Sequence, residues 1–262
     1  MKQKTRISSK IVGFMAIVSI MALMFGMTTF AATKQENIPA GKAVYNYDRD
    51  YSIVHYYKFT VKSPSLIVVS GNEFSSSGTA YSMRIGLCNS SGKELGYDYV
   101  DDSSDDAAGF AVNKGTYMFS VKSSYMYGLV YESETYAEKS GKSASKAVAL
   151  KKGKTKKGVI GIGESKSKVD YYKITLKKDA KITMQMKIDY SYGGVQFKLS
   201  PSKELKKKLS GDYTKYLSAG KSSKFTIKSN KGALPAGTYY VKISRSSKYS
   251  DYNAAYQLKW VK

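Results

Sequence analysis

The stretch that decides the fold is Asp170-Tyr171-Tyr172-Lys173-Ile174-Thr175-Leu176, in which apolar and polar side chains alternate. A second stretch, His55-Tyr56-Tyr57-Lys58-Phe59-Thr60-Val61, shows the same pattern 115 positions earlier. Alternation with a period of two is typical of a β-strand that buries one face. The two copies therefore indicate an internal repeat of β-structure.

Two further matches follow in the same order along the chain. Ile85-Gly86-Leu87 corresponds to Phe197-Lys198-Leu199, and the segment 115–121 (GTYMFSV) corresponds to 237–243 (GTYYVKI). The order is kept while the lengths between the matches vary, as expected when loops diverge after a duplication. We therefore expect two modules of one fold in tandem.

The composition and the remaining patterns favour strands throughout. The chain contains 24 Tyr and 9 Phe, residue types that suit half-buried pleated surfaces. Alternating strands are predicted at 182–188, 195–199 and 239–243, and Leu66–Val69 reads as a fully buried strand. We predict an all-β chain of two tandem antiparallel β-sandwich domains, jelly-roll or immunoglobulin-like in kind.

The N-terminus has the pattern of a secretory signal peptide over residues 1–31. Four basic residues and no acid precede an apolar run from Ile11 to Met27, and small residues follow at Thr29 and Ala31. An uncleaved membrane anchor is the alternative, but the polar stretch 33–37 favours cleavage before Ala32. We therefore expect a secreted, extracellular protein, associated with the cell wall, without an integral membrane segment after cleavage.

The predicted organisation is a first module over 32–138, a linker over 139–146 and a second module over 147–262. The charge differs sharply between the halves of the mature chain. Residues 32–138 carry 9 Lys/Arg and 13 Asp/Glu, a net of −4, whereas 139–262 carry 30 and 7, a net of +23. This asymmetry indicates that the two modules have different roles.

The second module resembles the bacterial pre-peptidase C-terminal domain. The matching segments are 170–174 (DYYKI), 234–241 (LPAGTYYV) and 255–258 (AYQL), and the resemblance extends over nearly all of the module. The first module departs from the pattern, because His55 stands where the family prefers an acid. The resemblance implies a secreted β-sandwich that serves as a targeting, adhesion or chaperone-like appendage beside extracellular enzymes.

The residues for nucleophilic catalysis are scarce. His55 is the only histidine and Cys88 the only cysteine, so no intramolecular disulfide can form. We expect His55 at an outward or edge position of its strand and Cys88 as a small buried hydrophobe. The second module has neither residue, which excludes a duplicated site of this type and favours a protein that is not an enzyme.

The first module contains a cluster of five aspartates. One interpretation is a solvated acidic loop without a specific role. The other is a calcium site, because calcium binds several flexible oxygen ligands. A less favoured reading is a hydrolase that uses these carboxylates. The residues concerned are Asp98, Asp101, Asp102, Asp105 and Asp106.

The excess lysines of the second module are the strongest functional signal. Lysine predominates over Arg245, the only arginine of the module, which suits general attraction to polyanions rather than bidentate recognition of one phosphate. Lysines can also maintain solubility or protect strand edges. The residues predicted to bind an anionic cell-wall polymer or other extracellular polyanion are Lys151, Lys152, Lys154, Lys156, Lys157, Lys177, Lys178, Lys181, Lys206, Lys207 and Lys208.

Tyrosines beyond the 115–121 and 237–243 strands give an alternative, because exposed rings can stack on sugars. Most of these tyrosines are expected to be structural. The sequence thus favours a secreted, non-enzymatic binding or adhesion protein. The alternatives are an accessory module pair that binds carbohydrate or a partner protein.

Overall fold

The computed structural model describes residues 35–51, 53–75, 77, 79–100, 107–136, 140–165, 167–201, 214–217, 222–227, 232–246 and 252–262. The predicted signal peptide lies outside the described residues. Within them the chain consists of β-strands and one short 3-10 helix, Ala144–Lys146, which confirms the all-β prediction. The chain divides into two compact units, and the main boundary falls between Glu134 and Thr135.

The first unit contains two sheets formed from ten strands. One sheet has the order β1-β3-β9-β6-β7, and the other has the order β2-β10-β4-β5 with β8 also paired to β4. The strands are β1 (Gln35–Asn37), β2 (Val44–Asn46), β3 (His55–Val61), β4 (Ser65–Phe74), β5 (Ala80–Tyr81), β6 (Met83–Asn89), β7 (Glu94–Val100), β8 (Ala108–Val112), β9 (Gly115–Val121) and β10 (Met126–Thr135).

The second unit repeats this arrangement with nine strands. Its sheets have the orders β11-β13-β18-β15-β16 and β12-β19-β14-β17, so each strand matched by sequence takes the place of its counterpart. The strands are β11 (Val148–Ala149), β12 (Thr155–Ile160), β13 (Val169–Leu176), β14 (Ile182–Tyr192), β15 (Val195–Ser200), β16 (Thr214–Leu217), β17 (Ser222–Ile227), β18 (Gly237–Arg245) and β19 (Asn253–Trp260).

The pairing departs from a purely antiparallel arrangement at one place in each unit. The first strand of each unit runs parallel to its neighbour, β1 to β3 and β11 to β13. In both cases the intervening strand belongs to the other sheet. Because the chain crosses to that sheet and returns, it can enter the first sheet again in the same direction.

The core of the second unit lies between its two sheets. Tyr172, Phe197 and Val241 from one sheet join Met184 and Leu258 from the other in a single buried cluster. Burial of these large side chains on both inner faces gives the two-layer sandwich its main stabilisation. Trp260, the only tryptophan, is partly buried against this cluster, so its fluorescence reports on the folding of the second unit.

Both units contain a pair of buried tyrosine hydroxyls that joins the two sheets. The hydroxyl oxygens of Tyr57 and Tyr127 are 2.8 Å apart in the first unit, and those of Tyr172 and Tyr256 are 2.9 Å apart in the second. In each pair one tyrosine comes from the repeated strand, β3 or β13, and the other comes from the last strand of the unit, β10 or β19. Each buried hydroxyl is thus paired, which avoids the cost of burying a polar group alone.

Part of the stretch expected to be a linker is bonded to the second unit. The backbone N–H groups of Gly141 and Tyr171 each donate to the carbonyl of the other, at 3.1 and 3.0 Å. Farther along, Ala147 packs against Tyr240. This segment is therefore attached to β13 through its backbone and packs on Tyr240 of β18 through Ala147.

Candidate functional site

The candidate site is one end of the second unit, where two lysine-bearing loops meet the C-terminal end of β19. The N–H of Gly153 donates to the carbonyl of Trp260 at 2.7 Å, which fixes the loop between β11 and β12. The N–H of Thr183 donates to the carbonyl of Lys262 at 2.7 Å, which fixes the start of β14. The loops that precede β12 and β14 therefore lie on either side of the last residues of the chain.

We call the exposed lysines of these segments the basic end. Six of them were predicted from the sequence, three in each loop, and the seventh is the last residue of the chain. All seven side chains are exposed, so their ammonium groups are accessible to a large ligand. The basic end consists of Lys151, Lys152, Lys154, Lys177, Lys178, Lys181 and Lys262.

The other predicted lysines lie elsewhere. Lys156 and Lys157 are half-buried on β12, and the Lys157 ammonium group is 4.9 Å from the centre of the Tyr136 ring. Their side chains contribute to packing along an edge strand instead of extending from the basic end. Lys206, Lys207 and Lys208 lie outside the described residues.

The described carboxylates of the second unit are all engaged by other groups. Glu164 forms an ion pair with Lys168 at 2.5 Å, and Asp189 forms one with Lys187 at 2.7 Å. Asp179 accepts a hydrogen bond from the N–H of Ala236 at 2.9 Å. The fourth described carboxylate, at position 170, is buried. Asp179 is the only one of these carboxylates in the two loops, so the basic end keeps a large excess of positive charge.

The only arginine of the second unit has a structural role. Arg245 is buried, and its guanidinium donates to the backbone carbonyls of Gly161, Glu164 and Tyr252. It also donates to the carbonyl of Ser165 at 3.1 Å. This arginine is committed to holding loops together, so recognition of anions in the described part of this unit depends on lysine.

Asp170 holds a buried polar network at the position that His55 occupies in the first unit. Its carboxylate accepts hydrogen bonds from the hydroxyls of Ser140 and of Tyr256, the latter at 2.6 Å. Burial raises the pKa of the Asp170 carboxyl above its ordinary value, although both hydrogen bonds act in the opposite direction. This acid stabilises the fold and does not face solvent.

The expectation that His55 points outward or lies at an edge is wrong. His55 is buried, because it falls in the same alternation as the core residues Tyr57 and Phe59. Its ring meets the Tyr127 ring edge-on at 6.1 Å between centres. Its Nε2 lies 3.4 Å from the side-chain nitrogen of Asn46.

The cysteine is buried, as expected. The Cys88 thiol contacts the hydroxyl of Ser120 at 3.6 Å, and burial raises its pKa above the ordinary value. A raised pKa leaves less of the nucleophilic thiolate at neutral pH. The histidine and the cysteine have different partners, so the described structure does not join them in a catalytic pair.

The predicted calcium ligands fall mostly outside the described residues. Asp101, Asp102, Asp105 and Asp106 are not described, and Asp98 lies on β7. The carboxylate of Asp98 accepts hydrogen bonds from the N–H groups of Tyr99, at 3.0 Å, and Gly109, at 3.1 Å. Among the described residues, no group of three or more acidic, histidine or cysteine side chains is placed to hold a metal ion.

The first unit carries a second candidate surface on the outer face of β6 and β7. Tyr97 and Tyr99 are 43% and 39% exposed, and they alternate with the half-buried Asp98 along β7. The Arg84 guanidinium lies 4.1 Å from the centre of the Tyr97 ring and pairs with Glu94 at 2.7 Å. Exposed rings beside fixed donors and acceptors can bind a ligand that has both apolar and hydroxyl groups.

Sequence reasoning missed three lysines on the outer face of the first sheet of the second unit. Lys173, Lys198 and Lys242 lie on three neighbouring strands and are half-buried. The signal was present in the repeat, because each lysine falls at a polar position of an alternating strand. Isolated lysines on separate strands form no visible run, so only the pairing register brings them together.

No helix in the described part of the chain is long and apolar enough to cross a membrane.

No family model matches the sequence, and no curated protein is similar to it. Among solved structures, the chain is similar to the pre-peptidase C-terminal domain of collagenase from Bacillus anthracis. The TM-score is 0.32 and the identity 16%, over 44% of this chain and 93% of that one. This domain is of the kind that the sequence of the second module resembles.

Two other solved structures are similar over more of the chain. The CBM22-1-CBM22-2 tandem of Xyn10C from Paenibacillus barcinonensis has a TM-score of 0.27 at 10% identity, over 78% of this chain and 82% of that one. The isomalto-dextranase of Arthrobacter globiformis T6 has a TM-score of 0.27 at 12% identity, over 82% of this chain and 36% of that one. At these scores and identities, none of the similarities assigns the chain to a family or gives it a ligand.

Proposed function

We propose that this is a secreted, non-catalytic binding protein whose second unit attaches it to an anionic polymer of the cell envelope or another extracellular polyanion. The observation that carries the proposal is the convergence of two lysine-bearing loops on the C-terminal end of β19. The predicted signal peptide supports export. The net charge of +23 over residues 139–262 supports the choice of ligand.

The expected mode of binding is diffuse and electrostatic. Lysine ammonium groups are mobile point charges, so they follow a flexible anionic chain without selecting one geometry. Attraction of this kind is strong at low salt and weakens as salt rises, because each contact releases a condensed counterion. The fixed loop backbones keep the charges at one end of the unit, where a polymer meets several of them at once.

The first prediction concerns three lysines of the basic end. Replacement of Lys151, Lys154 and Lys181 by glutamine should weaken retention on purified cell walls and make it less dependent on salt. The slope of log affinity against log salt should fall in magnitude by about 2, since each lost contact accounts for about 0.7. The measurement is the bound fraction over a series of NaCl concentrations.

The matched control removes the same charge from the first unit, by replacement of Lys58, Lys93 and Lys114 by glutamine. Its retention should stay within a factor of about two of the unchanged protein, since these lysines lie outside the proposed site. Equal losses in both variants would show that only total charge matters and would contradict a site at the basic end.

The outer face of β6 and β7 supports a second function, binding of a neutral glycan by the first unit. Tyr97 and Tyr99 present exposed rings, and the Arg84–Glu94 pair presents donors and acceptors to hydroxyl groups. The ion pair balances its own charge, which suits an uncharged ligand. The two units would then hold different polymers.

The glycan prediction is tested by replacement of Tyr97 and Tyr99 by alanine. Mobility in gels that contain soluble neutral polysaccharides should be retarded for the unchanged protein, and the retardation should be lost in the double variant. A loss of about 30-fold in affinity is expected, since each of the two rings contributes about 1 kcal/mol when it stacks on a ligand. The control is Tyr192→Ala, an equally exposed ring in the second unit, at 38%. Equal retardation of all three proteins would contradict the proposal.

A further inference from the structure

The outer face of the first sheet of the second unit carries lysines on adjacent strands. Lys242 on β18 lies directly opposite Lys198 on β15, and on its other side it lies opposite Tyr171 on β13. Lys173 is opposite Tyr240, which places it diagonally from Lys242. Residues directly opposite have Cβ atoms about 5 Å apart, and diagonal neighbours are about 7–8 Å apart. The three lysines therefore form one line across three strands.

This arrangement of lysines is expected to lower the stability of the sheet when no ligand is bound. Like charges directly opposite each other on neighbouring strands destabilise a sheet. No carboxylate stands at the outward positions of the three central strands to offset them. Those positions are Val169, Tyr171, Lys173 and Thr175 of β13, Gln196, Lys198 and Ser200 of β15, and Thr238, Tyr240, Lys242 and Ser244 of β18.

The first unit shows that the fold does not require the two directly opposed charges, Lys198 and Lys242. By the sequence repeat, Lys198 corresponds to Gly86 and Lys242 corresponds to Ser120. Gly86 and Ser120 lie opposite each other in the same register. A sheet with the same strand order thus forms with small neutral residues at both positions.

The segment that covers part of this face brings two more lysines. A Cβ on Gly141 would overlap the backbone of Lys146 and Ala147, so the segment forms a tight turn. Ala144 and Ala147 pack with Tyr171 and Tyr240 on the sheet. Lys142 and Lys146 remain exposed beside them.

We propose that this face, formed by Lys142, Lys146, Lys173, Lys198 and Lys242, is a second polyanion-binding surface whose occupant is a flexible polyol-phosphate chain. We call it the basic face. The proposal rests on the function proposed above and adds to it a second surface and a ligand class. A chain that crosses the strands would contact the basic face while another part of it reaches the basic end.

The spacing and the aromatic residues favour this ligand class. The two intervals between the three lysines of the sheet are about 5 Å and about 7–8 Å. A flexible polyol phosphate can adapt to unequal intervals better than a polymer of rigid sugar rings. Binding of single-stranded nucleic acid normally uses exposed rings on which bases stack. Here Tyr240 is buried and Tyr171 is half-buried, so neither offers a free ring face.

The test uses the full chain with Lys173, Lys198 and Lys242 replaced by glutamine. The probes are a synthetic poly(glycerol phosphate), a polyuronate and a single-stranded oligodeoxynucleotide of equal charge number. Affinity for poly(glycerol phosphate) at low salt should fall by about tenfold to 100-fold, and the salt slope should fall in magnitude by about 2. The first-unit variant with Lys58, Lys93 and Lys114 replaced serves as the control for charge. Lys58 is the counterpart of Lys173 in the repeat.

The results separate this inference from the proposed function. If the unchanged protein binds none of the probes and no cell walls, both fail. If the basic-end variant loses affinity while the basic-face variant binds as well as the control, the proposal for the basic face is contradicted and the proposal for the basic end is supported. If the oligodeoxynucleotide or the polyuronate binds more tightly than poly(glycerol phosphate), the ligand class is overturned. Trp260 fluorescence during thermal unfolding should give a midpoint in the basic-face variant that is no lower than that of the unchanged protein, which shows that a loss of affinity is not a loss of folding.

Discussion

Replacement of Asp170 by alanine should lower the free energy of unfolding of the second unit by about 2–4 kcal/mol. The carboxylate is buried and accepts hydrogen bonds from the Ser140 and Tyr256 hydroxyls. Its loss leaves a small cavity and removes a partner from two hydroxyl groups, and each effect costs on the order of 1–3 kcal/mol. Denaturant unfolding followed through Trp260 measures the change in this unit. A midpoint that does not move would contradict the assigned role of the network.

Asp170→Asn is the matched control and also tests the protonation of this group. Because burial raises the pKa of Asp170, the folded state favours the protonated carboxyl. The stability that this group contributes is therefore fully present below its ordinary pKa and is lost as pH rises through the raised value. The asparagine variant cannot titrate at this position. Relative to that variant, the unchanged protein should lose stability as pH rises from about 4, the ordinary pKa of an aspartate, towards neutral and alkaline values. A difference that is constant over this range, or that grows in favour of the unchanged protein, would contradict the prediction.

The largest effect on binding is expected when both basic surfaces are altered together. The variant has glutamine in place of Lys151, Lys154 and Lys181 of the basic end and of Lys173, Lys198 and Lys242 of the basic face. A lysine near an anionic surface contributes about 1 kcal/mol, so the six replacements should reduce affinity for poly(glycerol phosphate) by about 10,000-fold at low salt. Equilibrium titration of the full chain measures this. A loss no greater than that of either triple variant would show that the two surfaces are not used together.

The fold class and the repeated strands could be predicted from the sequence because the burial pattern of each strand is present in its own residues. Tyr172, Ile174 and Leu176 alternate with polar residues, and the structure buries all three. The strand order and the parallel pairing of β1 and β11 could not be predicted in this way. They depend on which sheet the next strand joins, and no local pattern specifies that choice.

The candidate site was predicted in part for a similar reason. Lysines in runs, such as Lys151-Lys152 and Lys177-Lys178, were found because they are adjacent in sequence and lie in loops. The pair formed by Lys198 and Lys242 was missed because its members are far apart in sequence and meet only through strand register. The burial of His55 follows its place in the alternation with Tyr57 and Phe59, and its polar character alone predicts the wrong position.

The duplication gives the comparison that best supports a functional role for the charge. Both units build the same strand order, and both join their sheets with a buried tyrosine pair. The first unit has one lysine on its central strands, Lys58, and one lysine in each of the loops before β2 and β4. The second unit adds Lys198 and Lys242 to its first sheet and has three lysines in each of the corresponding loops. Because one fold forms with and without these charges, we infer that they serve binding.

The most direct test of this account is the salt dependence of binding by the unchanged protein. Titration with poly(glycerol phosphate) over a series of NaCl concentrations should give a straight line of log affinity against log salt. If six or more lysines make contact, its slope should be about −4 or steeper. An affinity that does not change with salt, or no binding even at the lowest salt concentration, would contradict the account.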